Sequence, residues 1–340
     1  MIIEFPHTRS IHCETGCIRN LLKFYGHDIS EAMIFGIGSG YDFVHFPFPL
    51  FDGHEIPAFR ILPVKIFSQF NDRLNIDSKI ITFINKSKSM DKLDYFINQG
   101  IPIGVVTEVF DLPYFPLKER RFAGHHIVIM GKEDDEYIVS DSDMHFPENT
   151  LNRISASDLK KSRYTKNVLS PRGKMFYIIS IPEKLDLKTG IIKGIENSCH
   201  RMLEIPLPYF GTKGIAFLSQ RMRKYEKMYG RKRALDNLLF QIQISEEGGT
   251  GGSGFRYLYG HFLREAGILF NDEKLTFLAD YMREIGDKWQ TFAVEGLRFH
   301  KNPEGKDLHF LADIISSIAP MEDILFKELR EWKNKQLKKL

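Results

Sequence analysis

The chain has 340 residues, of which 43% are hydrophobic and 27% are charged, which is typical of about two folded domains with sizeable cores. Its net charge of +3 is too small to favour nucleic acid as a partner, and the absence of any apolar stretch near 18 residues, or of an apolar N-terminal core, argues against membrane insertion and secretion. Three cysteines, an odd number, predict reduced thiols in a cytoplasmic compartment.

The first predicted helix lies in the stretch HCETGCIRNLLKFYG, which Gly26 ends. Its apolar residues recur at the spacing of one buried helical face, at Ile18, Leu21, Leu22 and Tyr25. Cys13 therefore falls at the N-cap or first helical position, where free N–H groups and the helix dipole lower a thiol pKa from about 8.5. Cys17 lies one turn further on, where a cysteine is usually a small buried hydrophobe. Cys13 is the candidate nucleophile, with Cys17 or simple core packing as the alternatives.

A second, short helix is predicted over residues 31–35, followed by a loop with Gly36, Gly38 and Gly40. Glycines at this spacing allow the backbone to approach either a substrate or the first helix closely. Residues 45–64 are rich in Phe and Pro and predict an irregular connection that could include one hairpin.

Beyond this connection we expect a helix over residues 61–75, then a strand and a short helix that ends at Gly100. Short β-branched runs follow in IPIGVVTEV, HIVIMGKE, YIVSD and MFYIISI, and they predict strands of a mainly antiparallel sheet. The first domain, residues 1–182, is therefore predicted to be α+β, with a cysteine-bearing helix followed by a sheet.

Two adjacent histidines open one of these strands, GHHIVIMG, and the returning strand YIVSD ends at Asp141. Counted from the turn between the strands, His126 and Asp141 are about equally distant, so antiparallel pairing should bring them together. Such a pair could act as a base and its orienting carboxylate. His125 is the competitor, because alternation points the two histidines to opposite faces. The structural alternative is a hydrogen-bonded histidine and a turn-forming aspartate.

Together, HCETGCIRNLLKFYG, SEAMIFGIGSG, NQGIPIGVVTEVFDLPY, GHHIVIMG and YIVSDSD resemble, in this order, the N-terminal domain of the butirosin biosynthesis protein H family. The resemblance implies a papain-like fold close to that of the bacteriocin-processing C39 peptidases. It also implies an acyltransferase, since the family's named member moves an aminoacyl group from a carrier-protein thioester to an aminoglycoside amine. On that pattern Cys13 is the nucleophile, His126 the base and Asp141 the orienting acid.

The chain departs from the related C39 peptidases at one expected position. Those enzymes carry a glutamine about six residues before the cysteine as an oxyanion donor, whereas position 7 here is a histidine. His7, Asn20 or backbone N–H groups, including that of Cys13, could serve instead. The departure weakens the peptidase interpretation more than the acyltransferase one.

The second domain, residues 183–340, is predicted to be entirely helical, with Cys199 buried, and it resembles the C-terminal region often attached to the same family. Its G-x-G-x-x-G sequence, at Gly249, Gly251 and Gly254, is not a dinucleotide site, because the fingerprint needs a preceding strand. A flexible loop into a helix start is expected, and Arg256 could hold an anion there.

Two basic clusters occur, at residues 160–166 and 221–233. Most charge runs are solvated faces, but the second cluster is a candidate docking surface for an acidic acyl carrier protein. No recognised nucleic-acid module is present, and the absence of Cys-x-x-Cys and His-x-x-x-His spacings predicts no metal. No cofactor is expected.

The sequence thus predicts a cysteine acyltransferase of small-molecule biosynthesis, such as antibiotic biosynthesis, with an acyl-Cys13 intermediate and a small-molecule amine acceptor. The alternatives are a cysteine peptidase or amidase with the same triad, and a non-catalytic binding module. We expect the helical domain, through the loop Gly248–Gly254, to cover the cleft within one chain or across a homo-oligomer. The substrate-binding candidates are His12, Gly38, Gly40, His125 and Arg256.

Overall fold

The computed structural model describes residues 1–51, 53–116, 123–147, 150–166, 170–303 and 307–338. The chain divides into two compact units. The first unit comprises Met1–Ile34 and Pro63–Leu185, and the second comprises Phe35–Leu62 and Asp186–Leu340.

The elements alternate between helices and strands in the first half of the chain and are helical in the second half. The helices, in chain order, are α1 (Cys13–Phe24), α2 (Glu31–Ile37), α3 (Lys65–Arg73), α4 (Lys86–Asn98), α5 (Ala156–Ser162), α6 (Leu187–Leu203), α7 (Gly211–Met222), α8 (Tyr225–Tyr229), α9 (Arg231–Glu246), α10 (Arg256–Phe270), α11 (Glu273–Lys301) and α12 (His309–Leu337). The strands are β1 (Tyr41–Phe51), β2 (His54–Arg60), β3 (Asp77–Ile81), β4 (Ile103–Glu108), β5 (Ala123–Glu133), β6 (Glu136–Ser140), β7 (Asn152–Ser155) and β8 (Met175–Ser180). The predicted α+β class with a helical C-terminal region is confirmed.

The first unit is built on a six-stranded sheet in the order β3-β8-β4-β5-β6-β7, in which every described pairing is antiparallel. Alternate residues of β5, such as Ile127 and Ile129, enter a buried cluster together with Leu93 and Phe96 of α4. Burying each of these side chains contributes roughly 1.5–3 kcal/mol. This core fixes β5, the strand that carries both histidines.

The second unit includes a segment that the sequence assigned to the first domain. Residues 35–62 lie within the predicted domain 1–182, but the structure places them with the helices of the second unit. The reason is aromatic packing: β1 and β2 form a hairpin, and the rings of Phe43 and Phe59 lie 5.9 and 5.5 Å from that of Trp289 on α11. The Phe-rich stretch is therefore a hairpin and not an irregular connection.

No helix among the described residues combines the length and apolar composition that crossing a bilayer requires.

Candidate active site

Helix α1 begins at Cys13, so the thiol occupies the first helical position. His12 is the N-cap, and its side chain accepts a hydrogen bond from the N–H of Thr15. At this position the Cys13 N–H has no acceptor within the helix, and the positive end of the helix dipole favours a negative charge on the sulfur. His12, a substrate-binding candidate from the sequence, is thus a buried structural cap.

Glu31 of α2 anchors the chain immediately before the cysteine. Its carboxylate accepts hydrogen bonds from the N–H groups of Ile11 and His12, at 2.9 and 2.7 Å, and from the hydroxyl of Thr15 at 2.8 Å. Burial raises the pKa of Glu31, while these hydrogen bonds oppose the shift. The sequence indicated residue 31 only as a helix start, because nothing local shows that its side chain reaches another helix.

His126 lies on β5 with its Nδ1 atom 3.8 Å from the Cys13 sulfur. Strand β5 positions it by pairing with β4, where His126 is opposite Val106 and His125 is opposite Thr107. Both histidines are buried, whereas Cys13 is partly exposed. The rings are therefore shielded from water, while part of the Cys13 residue is accessible.

Asp141 binds His125, and the predicted pairing of Asp141 with His126 is wrong. His125 Nε2 lies 2.9 Å from Asp141 Oδ2. Strand β5 has a bulge where it pairs with β6, between Ile129 and Gly131, so Val128 is opposite Ser140 and not opposite Asp141. A slip of one residue moves a side chain to the other face of the sheet. Counting from the turn missed this bulge.

The acid beside His126 is Glu14, the residue directly after the nucleophile. Glu14 Oε2 lies 3.7 Å from His126 Nε2, and both side chains are fully buried. The other carboxylate oxygen of Glu14 accepts a hydrogen bond of 3.1 Å from the N–H of Phe67 on α3. The sequence gave no signal for this role beyond the acidic character of the first helical turn.

The electrostatics of the site favour a thiolate paired with an imidazolium. Burial raises the pKa of Cys13, but hydrogen bonds with His125 and His126 and their positive charge outweigh it and lower the pKa to about 6. Burial lowers the pKa of His125, yet Asp141 and then Cys13 raise it well above its usual value. At neutral pH the arrangement is a nucleophilic sulfur beside a charged imidazole.

The other two cysteines are free, buried thiols with raised pKa values. Burial raises the pKa of Cys17 well above its usual value, and nearby negative charges add to the shift. Burial raises the pKa of Cys199 to about 12. Neither thiol is ionised at neutral pH, so neither competes with Cys13.

Two family models match the chain. Residues 12–142 match the family described as butirosin biosynthesis protein H, N-terminal, and residues 157–329 match a domain of unknown function, DUF4872. The chain belongs to the butirosin biosynthesis protein H-like family.

The crystal structure of a protein assigned as a C39-like peptidase from Bacillus anthracis is similar over 53% of this chain and 98% of that one, with 12% sequence identity and a TM-score of 0.36. No curated protein is significantly similar to the chain in sequence. Residues 12–142, which include Cys13 and both histidines, thus correspond to the N-terminal domain of that family.

The two oxyanion candidates differ in whether their polar atoms are engaged. Asn20 is held by Thr8, whose N–H and hydroxyl donate to its Oδ1 and whose carbonyl accepts from its Nδ2. Asn20 therefore fixes the segment before α1, with one of its two amide hydrogens engaged by Thr8. His7 bonds through Nδ1 to the Ser140 hydroxyl at 2.8 Å, and its buried Nε2 has no partner among the described residues. Burial lowers the pKa of His7, and Asp141 opposes the shift.

Arg256 is not a ligand for an anionic substrate group, because its charge is already paired. It is fully buried and bonds to Glu322 through Nε and Nη2, at 3.0 and 2.7 Å. Its guanidinium also lies 4.4 Å from the ring centroid of Trp289. This buried Arg–Glu pair is structural, because binding a ligand anion at Arg256 would leave the Glu322 carboxylate buried without its ion-pair partner.

The glycine loop Gly248–Gly254 is anchored by side chains of its own unit. The Ser253 hydroxyl donates to the Gly286 carbonyl at 2.8 Å, and the Thr250 hydroxyl donates to the Ser245 carbonyl at 2.6 Å. The predicted loop into a helix start is present, since α10 begins at Arg256, and these hydrogen bonds hold the loop to its own unit. Glycine is required at position 254, where φ is +57° and a Cβ would lie 2.3 Å from the ring of Phe59.

Gly38 and Gly40 lie in the second unit, outside the unit that holds Cys13. Gly38 is in the turn after α2, and Gly40 donates to the Phe35 carbonyl and accepts from the N–H of Ile61. Their spacing is thus satisfied by a turn that joins α2 to the hairpin, as in the structural alternative.

The basic cluster at residues 221–233 is partly neutralised. Three of its four arginines bind carboxylates, in the pairs Arg221–Glu55, Arg223–Asp313 and Arg231–Glu226. Lys224, Lys227 and Lys232 remain exposed. Among the residues that the structure describes, no group of three or more His, Cys, Asp or Glu side chains could hold a metal ion.

Proposed function

We propose that this chain is a cysteine acyltransferase that moves an acyl or aminoacyl group from a thioester to an amine in small-molecule biosynthesis. The observation that carries the proposal is the Cys13 thiol at the start of α1, with its sulfur 3.8 Å from Nδ1 of His126. His125, which contacts Asp141, also lowers the pKa of the thiol. A sulfur with a pKa of about 6 is a ready nucleophile at neutral pH. The match to the butirosin biosynthesis protein H family supports the substrate class.

In the first half-reaction the Cys13 thiolate attacks the thioester carbonyl. The candidate donors to the oxyanion that forms are the N–H of Cys13 and the side chain of His7, which lies near Asp141. The carbon–sulfur bond of the donor then breaks, and His125 gives its proton to the departing thiol. Acyl-Cys13 remains, with Asp141 holding the ring of His125 in place.

In the second half-reaction an amine attacks acyl-Cys13, a carbon–nitrogen bond forms and the sulfur leaves as a thiolate. Water in place of the amine would give hydrolysis by the same residues. The thiolate beside a histidine suits this second candidate, a cysteine peptidase or amidase, equally well. The acceptor alone separates the two reactions.

An acyl carrier protein fits the proposal as the donor, since such proteins are acidic. The exposed lysines Lys224, Lys227 and Lys232 offer a positive surface that arginine pairing does not neutralise. Replacing the three by Glu should raise KM for a carrier-bound thioester at least tenfold and leave KM for a small thioester unchanged. An equal change in both would exclude this docking surface.

The test of the proposed function is product analysis with acyl-pantetheine thioesters in the presence of a primary amine. We expect amide to exceed free acid, and Cys13→Ala to form neither above the uncatalysed rate. Free acid alone would establish the hydrolase instead. If no thioester or amide gives a Cys13-dependent product, the chain is a non-catalytic binding module instead.

A further inference from the structure

Cys13 is flanked by two histidines, and each has its own carboxylate. His125 contacts Asp141 at 2.9 Å, and His126 lies 3.7 Å from Glu14. One cysteine, one histidine and one acid suffice for a cysteine nucleophile. The second pair is therefore unexplained by the proposed first half-reaction.

The His126 ring is oriented with one nitrogen toward the nucleophile and the other toward Glu14. Nδ1 lies 3.8 Å from the Cys13 sulfur, and the buried Nε2 has no hydrogen-bond partner among the described residues, so Glu14 at 3.7 Å is the acceptor it faces. The ring packs against Phe176, with centroids 5.7 Å apart. A proton on Nε2 that points to Glu14 leaves the lone pair of Nδ1 directed at the site of chemistry.

Glu14 is held so that it serves this ring. It is fully buried, its Oε1 accepts from the N–H of Phe67, and it follows Cys13 in the same helical turn. A carboxylate taken out of water is costly unless it is hydrogen-bonded and faces a positive or proton-donating group. A hydrophobic residue would pack at this position without that cost.

We propose that His126, supported by Glu14, is a second catalytic base that accepts the proton of the acceptor amine. The inference rests on the proposed acyl transfer and assigns the two pairs to its two halves. The His125–Asp141 pair stabilises the Cys13 thiolate and protonates the departing thiol. The His126–Glu14 pair serves the aminolysis of acyl-Cys13.

The second half-reaction needs such a base, because alkyl amines are protonated at neutral pH and cannot attack. His126 takes one proton from the alkylammonium through Nδ1 and passes it to water, and the freed nitrogen lone pair attacks the acyl carbon. The carbon–nitrogen bond forms, the nitrogen gives its second proton to Nδ1, the carbon–sulfur bond breaks, and the electron pair returns to Cys13 as a thiolate. His126 then releases this proton to water, and His125 regains from water the proton that it gave to the departing thiol.

The two distances explain why the work is divided. Asp141 lies 2.9 Å from His125, so its negative charge favours the return of a proton to that ring once the departing thiol has left. A reprotonated His125 cannot accept the proton of the amine. His126, whose Nδ1 lies 3.8 Å from the Cys13 sulfur, is then the ring left to take it.

The experiment is single-turnover kinetics on the full chain with His126→Gln, Glu14→Gln and His125→Gln. The exposed His200, which is 59% exposed, supplies the matched control His200→Gln. Intact-mass spectrometry follows acyl-Cys13 formation from an acyl-pantetheine thioester. The acyl-enzyme is then discharged in parallel by a primary alkyl amine and by hydroxylamine, which is unprotonated at neutral pH and needs no base.

We expect His126→Gln to slow discharge by the alkyl amine about 100-fold or more. The same variant should slow discharge by hydroxylamine, and the acylation step, by less than about tenfold each. Glu14→Gln should show the same selectivity with a smaller loss, and His125→Gln should fail at acylation. If His126→Gln does not fold, Glu14→Gln, which keeps the imidazole ring, provides the test: its discharge by the alkyl amine should be slowed more than its discharge by hydroxylamine.

Equal slowing with both nucleophiles would show a structural role and overturn the inference while leaving acyl transfer intact. So would a loss confined to acylation. Failure of the wild-type chain to form acyl-Cys13 would instead overturn the proposed function, and the inference with it.

Discussion

Removing His125 should raise the pKa of Cys13 and so lower the ionised fraction of its thiol at neutral pH. Burial alone raises the pKa of Cys13, and the two histidines lower it from 9.0 to about 6. Three pKa units correspond to about 4 kcal/mol of preference for the ionised form. At pH 7 a thiol with a pKa of 6 is about nine-tenths ionised, whereas one with a pKa of 9 is about one-hundredth ionised.

His125→Gln should therefore lower the rate of Cys13 alkylation by iodoacetamide at pH 7 by roughly 10- to 100-fold, since His126 retains part of the shift. The assay is the pH dependence of alkylation from pH 5 to 10, read by peptide mass spectrometry. The variant should recover toward the wild-type rate at pH 10, where both thiols are ionised.

Cys17 and Cys199 are internal controls, because burial raises the pKa of both thiols. They should stay unlabelled in the folded chain at pH 7. A wild-type Cys13 that alkylates with an apparent pKa near 9 would refute the electrostatic argument. So would a His125→Gln variant that reacts as fast as the wild type at pH 7.

Three further changes test the scaffold. Glu31→Gln weakens the charge-assisted hydrogen bonds before Cys13, so it should lower Tm, measured by calorimetry, and slow Cys13 alkylation. Gly16→Ala puts a Cβ 2.2 Å from the Ser142 hydroxyl and should cost about 1–3 kcal/mol in urea unfolding; an unchanged midpoint would contradict the packing. Although burial raises the pKa of Glu55, hydrogen bonds from His45, Arg221 and Tyr229 lower it from 4.5 to about 2. Because its pKa is lowered, ionised Glu55 stabilises the fold above about pH 4.5, and this stabilisation is lost as the pH falls toward 2. Glu55→Gln should therefore lower the free energy of unfolding by about 3 kcal/mol at pH 7 and by much less at pH 2. Equal costs at both pH values would refute that linkage.

Local signals in the sequence sufficed for the start of α1 and for the class of the fold. The apolar spacing from Ile18 to Leu22 and the position of Cys13 are properties of one helix, and the short β-branched runs are properties of single strands. Each of these features depends only on residues that are close together in the chain. Such features can be predicted without knowing what packs against them.

The partners of the histidines could not be predicted, because they depend on register and on distant contacts. The bulge in β5 gives Asp141 to His125; Gly131 beside it is a local hint of a bulge, but a glycine alone does not fix the register. Glu14 and Glu31 act through contacts with other elements, which periodicity does not reveal.

The second unit shows the same limit. Arg256 follows a glycine run, as an anion-binding residue would, but Glu322 lies 66 residues further on and takes the charge. The hairpin of residues 35–62 joins the helices because of a ring contact with Trp289, more than 200 positions away. Contacts of this kind are set by tertiary packing alone.

The central claim is that Cys13 carries the acyl group between donor and acceptor. Intact-mass spectrometry of the full chain after mixing with a panel of acyl-pantetheine thioesters tests it most directly, with peptide mapping to locate the adduct. We predict one acyl adduct on Cys13, discharged by an added primary amine with release of the corresponding amide. An unmodified chain with every thioester, or an adduct that water discharges and the amine does not, would contradict the account.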